Sequence, residues 1–143
     1  MAADITGVVR SFYDEVMSQG KLDLIDELVA ADFVEHQEFP GLEPNRDGLK
    51  KFFAMWRQAF PDASASIDLL AVQGDLAAVY GIWQGTHQGE FLGVPGTGRQ
   101  FSVPNADFIR FRDGVAVEHW GVFDSGVMMQ QLAIVPSMAA MGA

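Results

Sequence analysis

The chain has 143 residues, 49% apolar and 20% charged, which is the composition of one packed domain rather than of two domains or a disordered segment. Nine Lys and Arg against nineteen Asp and Glu leave a net charge of -10, which repels nucleic-acid phosphates and anionic lipid headgroups, so neither nucleic acid nor a membrane is an expected partner. The absence of cysteine excludes a disulfide, a thiol nucleophile, an iron–sulfur cluster and a thiolate zinc site.

Over residues 4–19, Ile5, Val8, Val9, Phe12, Val16 and Met17 recur at helical spacing, with Asp4 or Thr6 to cap the start and Gly20 to end it. The opening MAADITGVVRSFYDE has neither the basic stretch nor the long apolar run of a secretory signal, so a cytoplasmic location is expected. Leu22, Ile25 and Leu28 in KLDLIDELVA predict a second, shorter helix, and an extended stretch, Phe33-Val34-Glu35-His36, follows. After the turn-rich PGLEPNRDG, Leu49, Phe52, Phe53, Trp56, Ala59 and Phe60 form a third helical stripe, closed by Pro61-Asp62.

From Ser64 the texture changes to β-branched and aromatic residues bounded by turns. ASIDLLAVQ and LAAVYGIWQGTHQ flank Gly74-Asp75 as strand, tight turn and strand, and the glycine-rich EFLGVPGTGRQ reads as a loop. FSVPNADFIRF and VAVEHWGVF are two long strands joined at Arg112-Asp113-Gly114. Val127 to Leu132 predicts a short terminal helix, and the final SMAAMGA reads as frayed. No stretch of eighteen apolar residues runs free of charges and turn signals, so no transmembrane helix is expected. Helices followed by an antiparallel meander predict one α+β domain over residues 1–143. A curved antiparallel sheet would pack against three N-terminal helices, forming a cone whose open end can hold a ligand.

If Asp113-Gly114 is a two-residue turn, Arg112 pairs with Val115. Strict alternation then puts Val103, Asn105, Asp107, Ile109, Trp120, Val122 and Asp124 on one face and Phe108, Arg110, His119, Gly121 and Phe123 on the other. A buried Asp and Asn among Trp, Val and Ile are costly unless paired or working, which makes the first face the expected pocket wall. A one-residue bulge would exchange part of this set and turn His119 inward.

The ordered motifs Asp32-Phe33-Val34-Glu35-His36, Ala59-Phe60-Pro61-Asp62, Gly85-Thr86-His87-Gln88-Gly89-Glu90-Phe91-Leu92-Gly93, Thr97-Gly98-Arg99, Asp107-Phe108-Ile109-Arg110-Phe111 and Glu118-His119-Trp120-Gly121-Val122-Phe123-Asp124 resemble those of the SnoaL-like polyketide cyclases, or ester cyclases. These belong to the cone-shaped α+β superfamily of nuclear transport factor two and the limonene epoxide hydrolases. The resemblance implies a cofactor-independent intramolecular aldol condensation that closes a ring of a hydrophobic carbonyl substrate by acid–base catalysis. Epoxide hydrolysis by an Asp–Arg–Asp set is disfavoured, because Asn105 stands where an Arg would be wanted. Dimerisation through the outer face of the sheet is common in the superfamily, so a homodimer or higher homo-oligomer through that face is expected.

Asp124 is the leading acid–base candidate, since Trp120 to Asp124 matches the family's Trp-x-x-x-Asp ending; its ordinary alternative is a helix N-cap. Asp107 is either the base or its hydrogen-bond partner, against a satisfied buried carboxylate. Asn105 can donate to a substrate carbonyl, or is an edge residue after Pro104. His119 titrates near neutrality and suits a general base, unless it is structural beside Trp120. His36 matches a histidine that family members place near the pocket mouth, against a surface residue, and His87 is a further candidate, against a solvated loop. Phe33, Trp56, Tyr80, Trp120 and Met128 are candidates for an apolar slot, although such residues mostly serve as core. No His-x-His or His-x-x-x-His pair supports a metal, and neither a phosphate loop nor a serine nucleophile elbow occurs. The rivals to the cyclase are a small-molecule binder without chemistry, an isomerase or epoxide hydrolase on the same fold, and an interaction module using the outer sheet face.

Overall fold

The structure, a computed structural model, describes residues 4–134; the terminal SMAAMGA lies outside the described residues. Helix α1 (Ile5–Ser11) continues into a π-helical stretch, Phe12–Met17, and the pair buries Val9, Tyr13, Val16 and Met17. Gly20 ends it in the left-handed region (φ 74), with its N–H on the Val16 carbonyl at 3.1 Å. A 3₁₀ turn, Leu22–Leu24, leads to the single turn α2 (Ile25–Leu28). The expected second helix thus ends earlier than Ala30, because Val29, a β-branched residue, already has extended geometry and opens strand β1 (Val29–Glu35). Helix α3 (Arg46–Ala59) is capped by Asn45, whose Oδ1 accepts from the Gly48 N–H at 2.9 Å, and it buries Phe53, Trp56 and Ala59.

Strands β2 (Ser64–Gln73), β3 (Leu76–Thr86), β4 (Gln100–Arg112) and β5 (Val115–Phe123) form the meander, and among the described residues the sheet order is β1-β5-β4-β3-β2. The cone-shaped α+β architecture is as expected. The sheet is not wholly antiparallel, however, because β1 runs parallel to β5 at the edge. No tight hairpin joins those two strands, so nothing in their connection forces an antiparallel pairing.

Both hairpin turns are two residues long, with Gln73 opposite Leu76 and Arg112 opposite Val115. At the second, Asp113 (φ 52) and Gly114 (φ 84) both take positive φ, which a primed turn requires. One residue later the ladder slips: Phe111 faces Ala116 but Arg110 faces Glu118, leaving Val117 without a partner. On β4 the expected inward set Val103, Asn105, Asp107 and Ile109 holds. On β5 the bulge reverses the alternation, so His119, Gly121 and Phe123 share the inner face while Trp120 and Val122 face outward.

The inner face of the sheet packs on α1 and α3 around Trp56, which meets Trp83, Phe101 and Phe91 edge-on at centroid separations of 5.1, 5.6 and 5.9 Å. Helix α4 (Ser125–Leu132) follows β5 and buries Met128 and Leu132. Its Gln131 side chain pairs with a single residue of β4, accepting from the Ser102 N–H at 2.8 Å and donating to the Ser102 carbonyl at 3.2 Å. No helix among the described residues is long and apolar enough to cross a membrane.

Candidate active site

On the inner face, Asp107 stands at the centre of a hydrogen-bonded chain drawn from four elements. Its Oδ2 accepts from Asn105 Nδ2 at 2.7 Å, two residues along β4, and from the Tyr13 hydroxyl of the π-helical stretch. Its Oδ1 lies 2.7 Å from His119 Nε2 on β5, and the other ring nitrogen, Nδ1, is 2.5 Å from Glu35 Oε2 at the end of β1. The parallel β1–β5 pairing is what places Glu35 there, because Glu35 is the register partner of His119. Tyr13, Asn105 and Asp107 are 2%, 3% and 6% exposed, so the chain lies within the domain and reaches solvent through His119 and Glu35.

A neutral imidazole cannot donate from both nitrogens, whereas an imidazolium can. Burial alone would lower the proton affinity of His119, but the hydrogen bonds and charges of Asp107 and Glu35 outweigh it and push its pKa up to about 10. His119 is therefore a cation held between two carboxylates at neutral pH. Burial, with the adjacent Asp107 charge, raises the Tyr13 phenol far above its ordinary range, so it stays a donor. Cross-strand from Asp107 is Gly121, over which the Gln37 carboxamide lies: a Cβ built on Gly121 would stand 2.2 Å from Gln37 Oε1 and 2.9 Å from His119 Cε1.

Of the residues expected from the sequence, Asp107, Asn105 and His119 meet in this chain. Asp124 does not: it is exposed and caps α4, its Oδ1 accepting from the Val127 N–H at 3.1 Å. The β5 bulge puts Trp120 on the outer face, with His36 stacked on it at 4.7 Å and Arg110 5.9 Å from its ring. His36 pairs with Glu118 at 2.9 Å on that same face, away from Asp107. Tyr80 is 43% exposed on the outer face as well. His87 is fully buried rather than in a solvated loop; its Nδ1 accepts from the Thr97 N–H at 3.2 Å and pins the β3–β4 connection beneath Phe60 and Phe91. Phe33, Trp56 and Met128 are buried core residues.

Two members of the chain, Tyr13 and Glu35, are absent from the candidates expected from the sequence. Each carried a signal: Tyr13 is the one hydroxyl on the apolar stripe, four residues after Val9 and three before Val16, and Glu35 shares its face of β1 with the buried Phe33 two residues earlier.

The sequence profile of the SnoaL-like polyketide cyclases matches residues 7–132. No protein of curated function matches the chain. Among solved structures, the chain is similar to IdmH of Streptomyces antibioticus, a candidate polyketide cyclase, at 33% identity over 91% of this chain and 99% of that one, with a TM-score of 0.79. It is similar also to TsrD of Streptomyces laurentii (25% identity, 92% and 96% covered, TM-score 0.82) and to AclR of Streptomyces galilaeus, a candidate hydroxylase (25% identity, 92% and 97% covered, TM-score 0.80). From the profile match over nearly the whole described chain, the protein belongs to the SnoaL-like polyketide cyclase family.

Proposed function

We propose that the protein is a cofactor-independent cyclase that closes a ring in a hydrophobic carbonyl compound by intramolecular aldol addition, with Asp107 as the base. The observation that carries this reading is the Tyr13–Asn105–Asp107–His119–Glu35 chain on the inner face of the sheet. Asp107 takes a proton from the carbon next to a carbonyl. The resulting enolate carbon attacks a second carbonyl of the same molecule and forms the carbon–carbon bond, and the new alkoxide recovers the proton from Asp107. Tyr13, Asn105 and His119 hold the carboxylate in one orientation, and Glu35 keeps His119 charged and in place.

The test is turnover of a planar polyketide methyl ester carrying an acidic methylene group. Asp107→Asn is expected to lower kcat by about 10²–10⁴-fold, the usual share of a positioned base. Asp124→Asn, which retains a capping side chain, is expected to turn over as the wild type does. Wild-type turnover by Asp107→Asn would refute the assignment, and binding without conversion by the wild type would leave a carrier on the same fold.

Self-association through the outer sheet face is proposed alongside. Leu69, Tyr80, Ala106 and Val122 form one cross-strand row there, and Leu69 and Val122 are 67% and 69% exposed, with Phe108 40% exposed on the same face. Sedimentation should give a dimer for the wild type and a monomer for Val122→Arg; a monomeric wild type would refute the proposal.

A further inference from the structure

An enolate formed beside Asp107 needs a hydrogen-bond donor at its oxygen, where the negative charge develops. The cluster supplies none. Tyr13 and Asn105 donate to Asp107 Oδ2, and His119 gives one N–H to Asp107 Oδ1 and the other to Glu35. The further Asn105 contact, at 3.5 Å, runs to the Tyr13 hydroxyl. Each of these donors is committed within the chain.

Gln37 is an uncommitted group beside Asp107, at its cross-strand partner Gly121. Its backbone N–H donates to Glu35 Oε2 at 3.0 Å, the same oxygen that His119 meets, so its position is tied to the catalytic chain. Its side chain is half-buried and makes no hydrogen bond among the described residues. The carboxamide oxygen rests on Gly121, the register partner of Asp107, beside His119 Cε1. That leaves the NH₂ end free, and Gly121 is the residue that makes room: an alanine there would put its methyl 2.2 Å from Gln37 Oε1. We infer that the Gln37 amide donates to the substrate's carbonyl oxygen as it becomes an enolate, which makes Gln37 a catalytic residue and directs the site to compounds whose carbonyl adjoins the acidic carbon. The inference rests on the reading of Asp107 as the base.

The test uses β-naphthol as an enolate mimic, naphthalene as the ring without oxygen, and hydrogen–deuterium exchange at the acidic methylene of β-tetralone. By NMR, the Gln37 side-chain NH₂ resonances should move on titration with β-naphthol and stay in place with naphthalene, while His119 Cε1–H reports occupancy in both titrations. In the exchange assay, Gln37→Ala should lose about 10²–10³-fold in kcat with little change in KM, as expected for a donor used in the transition state. Movement of the His119 signal with an unmoved Gln37 amide, or exchange undiminished in Gln37→Ala but abolished in Asp107→Asn, overturns the inference and spares the base. Failure of both rings to move any signal in the cluster, together with no exchange above background in the wild type, overturns both readings.

Discussion

His119 carries its proton through neutral pH because Asp107 and Glu35 take both of its N–H groups, and the same arrangement links the site to stability. In the unfolded chain the imidazole titrates near about 6.5, and in the fold near about 10. A raised folded value stabilises the native state fully below the unfolded value and loses that contribution as pH climbs toward the folded one. Thermal melts should therefore show Tm falling between about pH 6.5 and 10. Glu35→Gln, which removes one of the two charges, should shrink the fall, and an identical alkaline profile in wild type and variant would contradict the linkage. Asp124 makes the opposite case: Asp124→Ala should cost about 1 kcal/mol through loss of the cap while Asp124→Asn costs little, as chemical denaturation would measure. Asp107 and Asn105 were legible in the sequence because charged and amide groups inside an apolar strand demand partners. The partners themselves were not, since Tyr13 stands 94 residues from Asp107 and Glu35 stands 84 from His119. Periodicity assigns a side chain to a face; it says nothing about what lies opposite.

Within the strands, one unpaired residue decides which half of β5 belongs to the site. Val117 offsets the β4–β5 ladder and so turns His119 inward and Trp120 outward. Deleting Val117 should close the ladder with Ala116 opposite Phe111 and Glu118 still opposite Arg110, and so leave His119 inward beside Asp107. Its titration, followed by imidazole NMR, should then stay near about 10, and a drop to the ordinary range would show that the pairing beyond the bulge does not hold His119 in place by itself. The turn was readable from Asp-Gly chemistry, but the bulge was not, because VAVEHWGVF is compatible with either face buried. A second irregularity, between Ile67 and Leu69 on β2, faces Gly81, where a Cβ would stand 1.7 Å from the Ser66 carbonyl oxygen. Gly81→Ala should cost roughly 1–3 kcal/mol by forcing the two backbones apart, a loss that denaturant titration would register.

Across the whole molecule, the order of helices then meander was plain from the switch in hydrophobic period near Ser64, and with it the α+β class. The parallel edge was not, because seven residues of β1 carry no mark of which strand they join. Strand β5 ends opposite Asn105, yet β4 extends back to Gln100, so its first residues lack a strand neighbour on that side, and the Gln131 amide occupies the backbone groups of Ser102 in its place. A chain shortened before α4, or carrying Gln131→Leu, would offer that stretch as a template to other chains, and its failure would be seen as fibrous precipitation rather than as simple unfolding.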